Sequence, residues 1–283
     1  MEKVVVIGLG LIGGSMALDL KKSGAYQIIG IDNNPEHLQK AKELKIIDKT
    51  GDYSTLKSAD VVIIAVPVNY IPAVTLKVLD NIGLNTLVFD VGSVKENVCN
   101  KIIDHKNRKN FVAAHPIAGT EYSGPQAAFT GLFTEKVNII CNKEQTDVEI
   151  LERTLVLFDY LQMRTTFMDA AEHDKHIAYV SHLSHISSFM LGKTVLEIEP
   201  DEKNIFNMAG SGFQSTVRLA KSSPVTWTPI FIQNKKNILK SLDEYIKNLE
   251  LFRQLIDKES GDEVFSVMEN TNHIKEVLKG IVI

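Results

Sequence analysis

Ala113-Ala114-His115-Pro116 ends an apolar run on a histidine, and a histidine in that position is a candidate general base, because imidazole takes up and gives back protons near neutral pH. Such a base implies a kcat that falls toward low pH between roughly pH 5 and 8, as the imidazole takes up a proton. Pro116 and a loop with Gly119 and Gly124 follow, and the loop is able to form a substrate wall. The competing reading is a ring that caps this loop through its N–H. What lies beside the strand end decides between them, and the relevant residues are upstream.

Gly8-Leu9-Gly10-Leu11-Ile12-Gly13 stands directly after VVVIG and directly before an apolar helical pattern with Ala17, Leu18 and Leu20. That strand and helix context turns a weak G-x-G-x-x-G match into a dinucleotide fingerprint. Gly8 allows a tight turn, Gly10 lets the backbone approach a pyrophosphate, and Gly13 lets the helix pack on the sheet. Free N–H groups from Leu11, Ile12 and Gly13 then face the phosphates. Asp32 closes the next β-branched run and is placed to accept hydrogen bonds from an adenosine ribose. No arginine stands beside it for a 2′-phosphate, so the expected cofactor is NAD rather than NADP. In a doubly wound sheet the ligand lies at the carboxyl ends of the strands, which points His115 toward the nicotinamide.

The elements that must position these groups are legible in the same way. VVVIG, QIIGID, VVIIAV, TLVFDV, FVAAH and VNIIC alternate with helical patterns, as a mainly parallel sheet with crossover helices requires. Beyond about Phe167 the strands stop. The expected fold is therefore α/β, a Rossmann-type doubly wound sheet over residues 1–167 followed by an all-helical substrate-binding and dimerisation domain over 168–283. Phe231, Ile238, Leu242, Tyr245, Leu249, Phe252 and Ile256 fall on an apolar seam of what reads as one long helix. A seam of that length predicts a homodimer.

Composition narrows the partners. A formal charge of −4 gives no electrostatic footprint for nucleic acid or an anionic membrane, and a small-molecule substrate is expected instead. Cys99 and Cys141 are far apart and read as reduced, buried thiols of a cytoplasmic protein. The apolar N-terminus carries embedded glycines and reads as a strand, not a signal peptide, and no run is long enough for a membrane span. His173, His176, His182 and His185 invite a metal reading. On a straight helix, His176 and His185 lie on opposite faces, so no metal is expected.

HPIAGTEYSG (115–124), SHLSHI (181–186) and GSGFQSTVRLAKSSPVTW (210–227), in that order behind GLGLIGGS, resemble the prephenate dehydrogenase family over nearly the whole chain. The resemblance implies NAD-dependent oxidative decarboxylation of prephenate to 4-hydroxyphenylpyruvate, in tyrosine biosynthesis, by a homodimer. It implies that His115 contacts the ring 4-hydroxyl, that Ser93 shares it, that His185 reaches the pyruvyl side chain and that Arg218 binds a carboxylate. Gly212, Trp227 and Glu121 complete the expected substrate set, with His185, Arg218 and the Gly210-Ser211-Gly212 turn as hydrogen-bond donors. Ser93 also reads as the N-cap of a helix starting near Val94, with Glu96 completing a capping box. This chain has Ser184 where the family has proline, which bears on a helix kink, and Gln214 and Ser215 where charges often stand, which bears on the pocket mouth. Arogenate dehydrogenase is the alternative enzyme, and a dinucleotide-sensing protein without chemistry the alternative from another class. A β-hydroxyacid dehydrogenase would want a catalytic lysine in a G-x-x-x-K pattern, which the helical half lacks.

Overall fold

The structure is a computed structural model and describes residues 1–198 and 204–279. Eight strands form one sheet: β1 (Glu2–Ile7), β2 (Tyr26–Ile31), β3 (Lys49–Thr50), β4 (Val61–Ile64), β5 (Leu87–Asp90), β6 (Phe111–Pro116), β7 (Val137–Cys141) and β8 (Arg164–Met168). Their order is β3-β2-β1-β4-β5-β6-β7-β8. Every ladder is parallel except β6 with β7, where His115 lies opposite Ile139. The six expected strands are present. The two that the sequence reading omitted are edge elements: β3 has only two residues, and β8 is largely exposed and carries no apolar run.

Helices α1 (Leu11–Lys22), α2 (Pro35–Glu43), α3 (Ile71–Asn81), α4 (Glu96–Lys101) and α5 (Val148–Tyr160) cross between strands. They cover both faces, which is why Val4, Val5 and Val6 are all buried although alternate residues point to opposite sides. Val4 and Val6 pack with Met16, Leu20 and Phe158 on one face, and Val5 packs with Val78, Leu79 and Val98 on the other. The chain runs outward from β1 to β2 and β3, then returns to β4 on the other side. The carboxyl ends of β1 and β4 therefore form the switch point at which such sheets bind ligands. Cys99 and Cys141 are buried and unpaired, and burial pushes the Cys99 thiol up to about 12.

After β8 the described residues are helical. α6 (Ala170–Ile177) runs through a single π turn (Ala178–His182) into α7 (Leu183–Ile198). Then follow α8 (Ser211–Val217), α9 (Pro224–Gln233), α10 (Lys235–Asp257), α11 (Gly261–Thr271) and α12 (Ile274–Lys279). The chain forms two compact units that divide after Lys235. Two expectations need correction. The apolar seam is not one helix, because Phe231 belongs to α9 and the chain breaks at Asn234, whose carboxamide donates to the Asp174 carbonyl at 2.6 Å. The straight-helix count between His176 and His185 also fails, since the π turn between them inserts an extra residue into the helical rotation. None of the described helices is long and apolar enough to cross a membrane.

Candidate active site

The glycine loop is built as its spacing requires. Gly8 has φ +94°, and a Cβ there would meet the Ala65 carbonyl oxygen at 2.4 Å, so only glycine lets the ends of β1 and β4 approach. A Cβ on Gly13 would meet the Gly8 oxygen at 2.1 Å, whereas one on Gly10 would meet nothing within 4 Å. Gly10 therefore borders open space, and the α1 N-terminus behind it has no side-chain cap. Its first N–H groups, from Leu11, Ile12 and Gly13, remain available to an anion.

Asp32 sits at the end of β2 with one oxygen accepting from Leu9 N (2.8 Å) and the other from Asn34 N (2.9 Å). Its carboxylate thus orients the glycine loop and the following turn together. Each oxygen keeps a second lone pair for a hydroxyl group. His37 stands 3.5 Å away.

At the end of β6 the His115 ring is buried. Its Nδ1 is 2.8 Å from His173 Nε2, and His173 Nδ1 is 2.8 Å from Asp174 Oδ1. Asp174 in turn accepts Lys95 N (2.8 Å) and Glu96 N (2.9 Å). Burial first, then the neighbouring His173 and Lys95, hold the His115 imidazole well below its ordinary value. The ring is therefore neutral at physiological pH.

Lys95 is fully buried and ties this corner together. Its ammonium pairs with the Asp90 carboxylate at the end of β5 and donates to the Ala114 carbonyl at 2.8 Å, one residue before His115. Removing one partner of such a buried pair would leave an uncompensated charge and cost about 3–5 kcal/mol.

The capping expectation for Ser93 is corrected here. α4 starts at Glu96 with Lys95 at its N-cap position, and the Asp174 carboxylate from α6 does the capping. Ser93 is half-buried and lies two residues before this N-cap position.

The helical residues form a second cluster. His185 stacks on Trp227 with ring centroids 3.4 Å apart, and Trp227 meets His182 edge-on at 6.0 Å and Phe231 at 5.5 Å. His185 Nδ1 lies 3.0 Å from the Ser181 carbonyl, which requires a proton on Nδ1 and leaves Nε2 a bare acceptor in the neutral ring. Burial, with Arg218 adding to it, lowers the His185 imidazole from its ordinary value. The expectation that His185 is a donor is thereby reversed.

Arg218 is exposed in the turn after α8, and Gly212 is exposed in the first turn of α8. Gln214 and Ser215 are exposed on the same short helix. Ser184 lies on a continuous helical path, its hydroxyl 3.4 Å from the Val180 carbonyl. Glu121 is exposed on the loop after β6 and lines a cavity of about 520 Å³ with Tyr122, Ser123, Gln126 and Ala127. Among the described residues no three His, Cys, Asp or Glu side chains converge as a metal site would require.

Residues 16–166 match the nucleotide-binding domain of prephenate dehydrogenase, and residues 169–270 match its dimerization domain. The chain belongs to the prephenate dehydrogenase family. It is 32% identical to the prephenate dehydrogenase of Bacillus subtilis over 98% of this chain and 76% of that protein. It is 28% identical to the cyclohexadienyl dehydrogenase of Zymomonas mobilis, over 98% and 96% of the two chains. The crystal structure of the Aquifex aeolicus prephenate dehydrogenase in complex with hydroxyphenyl propionate and NAD+ matches it with a TM-score of 0.89 at 31% identity, over 98% of each chain.

For this member of the prephenate dehydrogenase family, sequence reasoning missed Asp90, Lys95, Asp174 and Asn234, and weighed His173 only as a metal ligand. The signal for Lys95 was present in DVGSVKE: a lysine between a buried-looking strand and a helix, five residues after an aspartate. The pairing of His173 with His115, 58 positions apart, has no local signal.

Proposed function

We propose that this protein oxidatively decarboxylates prephenate with NAD, and that His115 Nε2 is the base that accepts the 4-hydroxyl proton. The observation that carries the reading is the orientation of His115, a neutral ring at the carboxyl end of β6, on the same sheet edge as the switch point and two strands from β4, with Nδ1 engaged by His173 and Nε2 not. The cradle at Gly8, Gly10 and Gly13 and the carboxylate of Asp32 fit a dinucleotide with a free ribose 2′-hydroxyl. NAD bound there supplies the hydride acceptor. Ser93 orients the substrate hydroxyl, Arg218 pairs with a substrate carboxylate, and Trp227, Gly212 and Glu121 shape the pocket. Residues 1–167 serve as the cofactor domain and 168–283 as the substrate and dimerisation domain of a cytoplasmic enzyme of tyrosine biosynthesis.

His185 favours a second reading. With Nε2 as acceptor it suits the ammonium of arogenate, whereas a keto acid, whose oxygens only accept, is left to Arg218 and backbone donors. A wholly donor-lined pocket would favour prephenate by about 10²-fold or more; one charge-assisted hydrogen bond is worth about 1.5–3 kcal/mol, so with His185 as an acceptor that preference shrinks to about tenfold. The experiment is kcat/KM for both substrates on one preparation with saturating NAD. A prephenate advantage of that order is expected, and a preference for arogenate would replace this reading with the second.

The later helices also bear on assembly. Leu249, Ile256, Phe265, Met268 and Val277 are exposed apolar side chains on α10, α11 and α12. Such a surface needs a partner, and a second copy of the chain is the proposed one. Light scattering is expected to give a dimer at micromolar concentration, and a stable monomer would refute the assignment.

A further inference from the structure

The hydrogen bonds behind His115 fix where every proton lies. The Asp174 carboxylate only accepts, and it takes N–H groups from Lys95, Glu96 and His173. His173 therefore carries its proton on Nδ1, which leaves Nε2 bare in the neutral ring. That nitrogen faces His115 Nδ1 at 2.8 Å and must accept from it. His115 is thus held with a proton on Nδ1 and a lone pair on Nε2.

The chemistry of the proposed reaction makes an unusual demand on such a base. Hydride loss from the carbinol carbon releases the hydroxyl proton and forms a carbonyl. Loss of CO₂ then turns the same oxygen into a phenolate, which takes a proton back. Between the two steps one proton needs a place to wait, and none need reach solvent. The array is closed in just this way, for His173 is 1% and Asp174 2% exposed.

We propose that His173, acting through His115, is where the substrate's proton waits. As the substrate O–H bond breaks, an N–H bond forms on His115 Nε2. The His115 Nδ1–H bond breaks in concert and an N–H bond forms on His173 Nε2. The electron pair of the carbinol C–H bond leaves as hydride to NAD, the oxidant of the proposed reaction. His115 ends neutral, and the positive charge rests on His173 in contact with Asp174. Decarboxylation reverses both transfers and returns the proton to the phenolic oxygen. The Asp174 carboxylate, which contacts His173 and not His115, favours this displacement.

The inference rests on the proposed reaction, and the test separates the two. His173→Gln keeps both hydrogen bonds, since the amide oxygen accepts from His115 and the amide N–H donates to Asp174, but it cannot hold a proton. A structural role would survive this change. The single-turnover rate of NADH formation from prephenate is expected to fall about tenfold or more, with substrate KM changed by less than about threefold. In mixtures of H₂O and D₂O the wild-type rate is expected to follow a bowed proton inventory, as two moving protons require, and the variant a linear one. A linear wild-type inventory, or a variant as fast as wild type, overturns the inference while leaving the reaction in place. A wild-type protein that makes no NADH from prephenate overturns both.

Discussion

His115→Asn is expected to lower kcat by about 10²–10⁴ while the KM for prephenate changes little, because what is lost is proton transfer in the transition state and not ground-state binding. Asparagine can still donate an N–H toward His173, so the corner holding Lys95, Asp90 and Asp174 stays assembled. It offers no imidazole Nε2. Steady-state kinetics on the folded variant decides the matter, and a wild-type kcat would reduce His115 to a loop anchor. The pH profile adds a signed check. Protonation removes the Nε2 lone pair, and burial holds the imidazole well below its ordinary 6.5, so the wild-type kcat is expected to stay level from pH 8 down through 6.5 and to fall only below it. A fall centred at or above pH 6.5 would mean that the ring is solvated in the working enzyme.

The second large effect concerns the cofactor. Asp32→Ala removes the proposed ribose acceptor and also strands the N–H groups of Leu9 and Asn34 that its oxygens now satisfy. Charge-assisted hydrogen bonds are worth about 1.5–3 kcal/mol each, so the KM for NAD is expected to rise at least tenfold. NADP use should improve, since the carboxylate that repels a 2′-phosphate is gone. Initial rates against both cofactors measure this, and unchanged NAD kinetics would sink the Asp32 assignment.

The parts of this site that repeat along the chain were legible before folding. Gly8, Gly10 and Gly13 announce themselves by spacing, and β1, β2, β4, β5, β6 and β7 by apolar runs, because burial on both sheet faces leaves an unbroken signature. The parts set by tertiary contact were not. Asp174 caps α4 from 78 residues away, which displaces the local Ser93 to Glu96 capping box that the sequence suggested. The break at Asn234 interrupts an apolar periodicity that continues on both sides, since it depends on the Asp174 carbonyl and not on a proline or glycine. Periodicity also counts 3.6 residues per turn throughout, and the π turn that runs into the first two residues of SHLSHI departs from it. His185 shows the same limit at one atom: its residue type marks it as polar, but only the 3.0 Å contact with Ser181 says which nitrogen faces a ligand.

His115, Ser93 and the glycine loop are proposed to carry out the oxidative decarboxylation together. Its most direct test is the stoichiometry of a single reaction mixture of this protein, NAD and prephenate. One NADH and one CO₂ are expected to form for each prephenate consumed, together with an aromatic keto acid. Prephenate left unconsumed, or NADH formed without matching CO₂, would contradict the account.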